Sequence, residues 1–325
     1  MKLRKGVLVV AAMLLSAVSM PALAQSYPTK PVKILIGFAA GGPTDVIGRI
    51  LAQDMSNALG QSVLVENRTG ANSLIATEAV ARSPADGYTL LFASLSHNVN
   101  AILVKPQRYE PLKDFVPISL TAVLPLVIVA PPNAPFDTVQ DLAKAAKVKP
   151  EALSYGSAGN GGSAHLAGAL LETLTQTKMT HVPYRGNAPA LTDVMAGRID
   201  FMFYPMIGIA DRVQQKQLKV VAAGTEKRIA DFPNVPTMAE SGFPGFEETA
   251  PWVGMLAPAG TPQPIIDIIH REMTRSVAKP ETQERLKALG AIVVANTPRQ
   301  FRDFLVKDWD RWERVIQAAG VKADN

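Results

Sequence analysis

VKILIGFAAGGPTDVIGRIL, residues 32 to 51, joins an apolar, β-rich run to a helical pattern through two glycines and a proline. Ile47, Ile50, Leu51, Met55, Ala58 and Leu59 recur at i, i+3, i+4 spacing, and Gly60 supplies a stop signal, so a helix is expected after the glycines. Gly42 then falls at the N-cap and Pro43 at N1, where a missing N–H matters least. Asp45 falls at N3, where a carboxylate favours the positive end of the helix dipole. Glycine admits close backbone approach, and unpaired N–H groups at a helix start attract an anion. Phe38, Ala40, Gly41, Gly42, Thr44 and Asp45 are therefore candidate ligand-binding residues.

The same plan occurs twice. GGPTDVIGRIL from Gly41 aligns without gaps to GGSAHLAGALL from Gly161, sharing both leading glycines, Gly48 with Gly168, and Leu51 with Leu171. Each copy continues through a strand to an Arg/Gly turn (ENRTGA and PYRGNA), a small-residue helix and an acid-bearing turn into a strand. Alternating strand and helix patterns imply βαβ units and parallel pairing. A repeat spacing of 120 residues, from Gly41 to Gly161, is too long for a solenoid, and two similar α/β lobes with mostly parallel sheets are expected. The pattern breaks at proline-flanked stretches around residues 123–135 and 247–262, which read as connections. The expected division is residues 26–125 plus 247–325 for one lobe and 126–246 for the other. The final helical pattern places Phe301, Phe304, Leu305, Trp309, Trp312 and Ile316 near one face, and the last helices are expected to pack back on the first lobe.

Ligands in open α/β sheets bind beyond the carboxyl ends of strands. Besides the first loop, that position is expected for GSAGNGGSAH, with Ser157, Gly159, Gly161, Gly162, Ser163 and His165, for SLSHNVN, with Ser94, Ser96 and His97, and for Tyr204. Arg185 is a further candidate, either on the cleft or on a surface turn. Gly159, Gly161 and Ala164 fit G-x-G-x-x-A, but the acid expected about 20 residues on in a dinucleotide site is missing. A hydrolase with a dispersed Ser/His/Asp triad is the other enzymatic alternative. Neither a G-x-S-x-G, Walker A, H-E-x-x-H nor calcium-loop motif occurs, and the four histidines lack close ligand spacing, so no catalytic residue, metal or cofactor is assigned.

The N-terminus carries an export pattern, with a basic start, MKLRKG, an apolar centre, VLVVAAMLLSAV, and a cleavage site, Ala22-Leu23-Ala24. Removing residues 1–24 takes Lys2, Arg4 and Lys5 from 33 basic residues, leaving 30 against 28 acidic and a net charge of +2. That balance, without dense basic blocks, gives no electrostatic case for nucleic acid. The chain has no cysteine, which excludes disulfides and thiol chemistry, and a periplasmic protein without membrane insertion after cleavage is expected.

The ordered set YPTKPVKILIGFAAGGPTD, VLVENRTGA, ADGYTLLFAS, GSAGNGG with His165, HVPYRG, AGRIDFMF, VPTMAESGFPGF and WVGMLAPAGTP resembles the Bug-type solute-binding proteins of tripartite tricarboxylate transport systems, from about Tyr27 to Gly320. The resemblance implies a two-lobe type II periplasmic binding protein, a Venus-flytrap that closes on small carboxylates, delivers them to membrane transporter subunits and performs no reaction. It also implies that the loops Phe38–Asp45 and Ser157–His165 embrace the ligand from opposite lobes. Gly37 and Ala40 stand where many relatives carry prolines. A monomer is expected, with a carboxylate held between two helix starts and Phe38 and Tyr204 covering its apolar or aromatic middle.

Overall fold

The computed structural model describes residues 27–322, and the export segment expected at 1–24 lies outside the described residues. The stretch that opens the sequence reading forms strand β1 (Val32–Ile36), buried at Val32, Ile34, Leu35 and Ile36, followed by helix α1 (Pro43–Leu59). Ile47, Leu51 and Met55 of α1 are fully buried, each contributing roughly 1.5–3 kcal/mol of transfer free energy. Gly60 ends the helix in the left-handed conformation, as its position predicts.

β2 (Val63–Asn67), a 3₁₀ turn (Ala71–Ser73), α2 (Leu74–Ala81), β3 (Thr89–Ser94), α3 (Ser96–Leu103) and β4 (Phe115–Val123) follow. The chain then crosses to a second sheet made of β5 (Leu126–Ala130), β6 (Ser154–Ser157), β7 (Thr180–Pro183), β8 (Phe201–Pro205) and β9 (Lys219–Gly224). Helices α4 (Val139–Val148), α5 (Ser163–Thr175), α6 (Asn187–Met195) and α7 (Ile209–Gln214) belong to this part. β10 (Trp252–Pro258) returns to the first sheet, with α8 (Gln263–Ala278), α9 (Pro280–Ala288), β11 (Ile292–Val293) and α10 (Pro298–Ala319) after it.

The first sheet has the order β11-β4-β10-β3-β1-β2 and the second β7-β6-β8-β5-β9. β1 lies parallel to β2 and β3, and β6 parallel to β7 and β8, the βαβ cores that the alternation implies. The sheets are nevertheless mixed. β10 runs antiparallel between β3 and β4, β11 lies antiparallel on β4, and β5 runs antiparallel between β8 and β9. The cause is topological: β5 and β10 have just crossed between lobes and enter the far sheet from the end where the parallel strands finish. Within the stretches read as connections, Leu126–Ala130 and Trp252–Pro258 are completely buried sheet strands, and the first crossing narrows to a few residues after Val123.

α10 begins at a complete capping box on Thr297 and Gln300. Its residues Phe301, Leu305, Trp312, Val315 and Ile316 join a core with Leu91 and Trp252 of the first sheet and with Leu166 of α5, while Ala319 packs in the core of the second sheet. The last helix thus rests on both lobes instead of the first alone. Trp312 is fully buried in this core.

Candidate ligand-binding site

The internal repeat is structural. Gly41 and Gly161 have φ of 78° and 72°, Gly42 and Gly162 are the N-caps of α1 and α5, and Gly41 N–H donates to Asp45 Oδ2 at 2.9 Å as Gly161 N–H donates to His165 Nδ1 at 3.0 Å. Asp45 and His165 occupy equivalent places and do the same work, pinning a glycine loop to its helix. The matched glycines one turn further on explain themselves by packing. A Cβ on Gly48 would stand 2.7 Å from Ile36 Cδ1, and one on Gly168 2.3 Å from Tyr155 Cε2, so each allows its helix to press on the strand before it.

The two helix starts meet across one narrow cavity between the lobes, about 20 Å³ in volume. Phe38, Gly42, Pro43, Thr44, Asn72, Ser94, Leu95 and Leu124 line it from one side, and Ala158, Gly162, Ser163, Asn187, Pro205 and Pro251 complete it. Neither helix start has a side-chain cap. The first-turn N–H groups, which lack intrahelical partners, and the positive dipole ends therefore give this cavity its electrostatic sign, since none of its lining side chains is charged. The lobes are closed on each other: Ala39 N–H donates to Arg185 O at 3.1 Å. A Cβ on Gly161 would lie 3.0 Å from Leu103 Cδ1 and 3.1 Å from Val99 Cγ1. The glycines of the G-x-G-x-x-A match serve this close approach of the opposite lobe.

Of the residues expected at the site, Phe38, Gly42, Thr44, Ser94, Gly162 and Ser163 line the cavity. Gly159 and Arg185 stand at a neighbouring opening with Asn160 and Tyr184. Gly41, Asp45, Ser157, Gly161 and His165 brace the loops behind it. Burial pushes the Asp45 carboxyl up, but bonds from Arg49 (2.9 Å), Gly41 N–H and Asn67 (2.8 Å) outweigh this and hold it below its usual range. Ser157 Oγ accepts from Gly159 N–H at 3.1 Å and lies 2.6 Å from His181 Nε2. That Ser–His pair is no exposed nucleophile: Ser157 is fully buried, and His181 stacks on Tyr155 and on His165. Desolvation, followed by the nearby His165, lowers the His181 pKa to about 3.

Four expected residues lie elsewhere. His97 is turned into the core against Tyr109 and Phe115, its Nε2 3.2 Å from Pro111 O. Ser96, also buried, heads α3 beside it, and its carbonyl accepts from Tyr109 Oη at 3.4 Å. Tyr204 points into the core of the second sheet among Val127, Val129 and Ala190, and its neighbour Pro205 reaches the cavity. The strand alternation decides this, because successive side chains take opposite faces. Ala40 is exposed and is not part of the cavity lining. Sequence reasoning missed Asn72 and Asn187, although the matching turns that carry them, Gly70-Ala71-Asn72 and Gly186-Asn187, had already marked themselves as a repeated feature.

Comparison with known proteins agrees with this geometry. The family model described as tripartite tricarboxylate transporter family receptor matches residues 47–321. The solved periplasmic binding protein BugD is 35% identical and superposes with a TM-score of 0.87, covering 92% of this chain and 100% of its own. MatC from Rhodopseudomonas palustris, solved with bound malate, is 30% identical with a TM-score of 0.85 over 89% of this chain and 100% of its own. An R. palustris protein solved with adipate is 31% identical with a TM-score of 0.87 over 92% and 100%. With two mixed sheets, paired glycine-led helix starts and a family match running from the first helix to the end of the last, the chain belongs to the receptors of the tripartite tricarboxylate transporter family.

Proposed function

We propose that this chain captures a small carboxylate, preferentially a dicarboxylate, between its two lobes in the periplasm and delivers it to a membrane transporter of the tripartite tricarboxylate type. The observation that carries this reading is the pair of uncapped helix starts, at Gly42 and Gly162, facing one closed cavity without charged side chains. Each dipole end favours a negative group by about 0.3–1 kcal/mol when exposed and up to roughly 2 kcal/mol when partly buried. Two such ends suit a molecule with acceptors at both extremities. Malate in MatC and adipate in the second R. palustris protein fit that description. Phe38 remains to cover an apolar middle, whereas Tyr204 is committed to the core, which favours an aliphatic over an aromatic ligand. Export to the periplasm is supported by the N-terminal pattern and by the described location of BugD.

Thermal shift and titration calorimetry against succinate, malate, adipate, benzoate, amino acids and NAD test the reading. A ligand at 100 times its dissociation constant adds about 2.7 kcal/mol to stability and raises the melting midpoint by several degrees. Saturable binding of at least one carboxylate is expected. A shift with NAD and with none of the carboxylates refutes it.

A further inference from the structure

Two asparagines occupy related positions in the closed cavity. Asn72, on the turn after Gly70, and Asn187, directly after Gly186, both line the cavity, and both Oδ1 atoms are buried with no hydrogen-bond partner. Their turns are alike, Gly70 and Gly186 having φ of 135° and 147°. Each turn lies over the helix start of the opposite lobe. The Cβ position of Gly162 is 3.6 Å from Asn72 Oδ1, and that of Gly42 is 3.8 Å from Ala188 N, next to Asn187.

Asn72 is held firmly in this role. It is 7% exposed, Asn100 Nδ2 donates to its carbonyl at 2.8 Å, and its own Nδ2 is directed to Asn100 Oδ1 at 3.4 Å. That direction leaves Oδ1 as the free end of the carboxamide. Ala71, Asn72 and Ser73 all have positive φ, of 44°, 50° and 74°. Non-glycine residues in that region carry strain of order 1–3 kcal/mol each and cluster at ligand clamps.

A buried carbonyl oxygen without a donor is unfavourable by about 1–3 kcal/mol. The helix starts donate, so the two carboxamide oxygens are the complementary acceptors, open to a donor on the bound molecule. An ammonium would face two positive helix ends with no lining carboxylate to compensate it. A hydroxyl donates without charge. We infer that Asn72 and Asn187 make this cavity selective for hydroxycarboxylates over the unsubstituted and the amino acids of the same length. The inference rests on the carboxylate reading above.

Titration calorimetry of the full mature chain with both enantiomers of malate, with succinate and with aspartate tests it. At least one malate enantiomer is expected to bind roughly 10- to 100-fold more tightly than succinate, and aspartate more weakly than that malate. Asn187→Leu and Asn72→Leu should each bring the malate-to-succinate ratio below about threefold while succinate affinity is kept or improved, because an unpaired oxygen has been removed. A general structural defect would weaken both ligands together. Circular dichroism checks folding, and if the strained turn does not tolerate Asn72→Leu, Asn187→Leu decides. Malate and succinate bound equally by the wild type overturns the selectivity and leaves carboxylate binding standing. Binding of none of these acids overturns the selectivity, and if adipate and benzoate also fail to bind, the carboxylate reading falls with it.

Discussion

Gly186→Ala separates closure from folding. Gly186 has φ of 147°, so an alanine there is strained within its own lobe whether the protein is open or closed, an effect of order 1–3 kcal/mol on unfolding. A second effect exists only in the closed form. The new Cβ would sit 2.8 Å from Ala39 N and 3.1 Å from Ala39 Cβ, across the lobe boundary and beside the bond from Ala39 N–H to Arg185 O. Overpacking of that kind amounts to about 1–3 kcal/mol, and loss of the bond adds about 0.5–1.5 kcal/mol. A ligand that needs the closed state loses affinity by the closed-only part, and a central value of about 2–4 kcal/mol corresponds to roughly 30- to 1,000-fold. Calorimetric dissociation constants for the best-bound carboxylate, set beside denaturant unfolding of the ligand-free protein, give the two effects separately. Ala39→Gly in the same chain should recover part of the affinity by relieving the Cβ contact. Unchanged affinity in Gly186→Ala would refute the assignment of this contact to the ligand-bound state.

Gly168→Ala is expected to destabilise the protein by about 1–2 kcal/mol despite its better helix propensity, because the methyl meets the ring of buried Tyr155 at 2.3 Å. Gly48→Ala, meeting the far end of Ile36 at 2.7 Å, should stay within about 1 kcal/mol of wild type in urea unfolding. Burial lowers the His97 pKa to about 4, so between pH 6.5 and 4 the unfolded chain takes up a proton that the folded one refuses. Stability should therefore fall by about 3 kcal/mol across that window, and His97→Asn should flatten this part of the pH profile measured by denaturant titration. Asp308→Ala leaves Trp252 Nε1, Asn98 Nδ2 and Arg311 without their shared carboxylate, and a loss of about 3–5 kcal/mol is expected in chemical unfolding, with near-wild-type stability overturning the role of this buried group.

Much of the fold is legible because its signals are local. The periodicity of Ile47, Leu51 and Met55, the N1 proline and the terminal Gly60 fix α1 without reference to the remaining chain, and the repeat transfers the same logic to α5. Strand direction is different. Nothing in LVIVA or WVGMLAP distinguishes a connector from a central strand, since both are short apolar runs, and only the order of lobes makes β5 and β10 antiparallel insertions. The site divides in the same way. Glycines needed for helix starts were visible, whereas His97 and Tyr204 were misplaced by the face their backbones chose, and Asn72 became a site residue only through contact with the other lobe.

The position of α10 bears on how far the cleft can open. A hinge made of crossing strands alone permits a wide swing, but Leu166 of α5 shares a core with Trp312, Val315 and Ile316, and Ala319 sits in the core of the second sheet. Any opening of the cleft must shift this seam, so residues at the end of the chain, far from the ligand, carry part of what it costs to part the lobes.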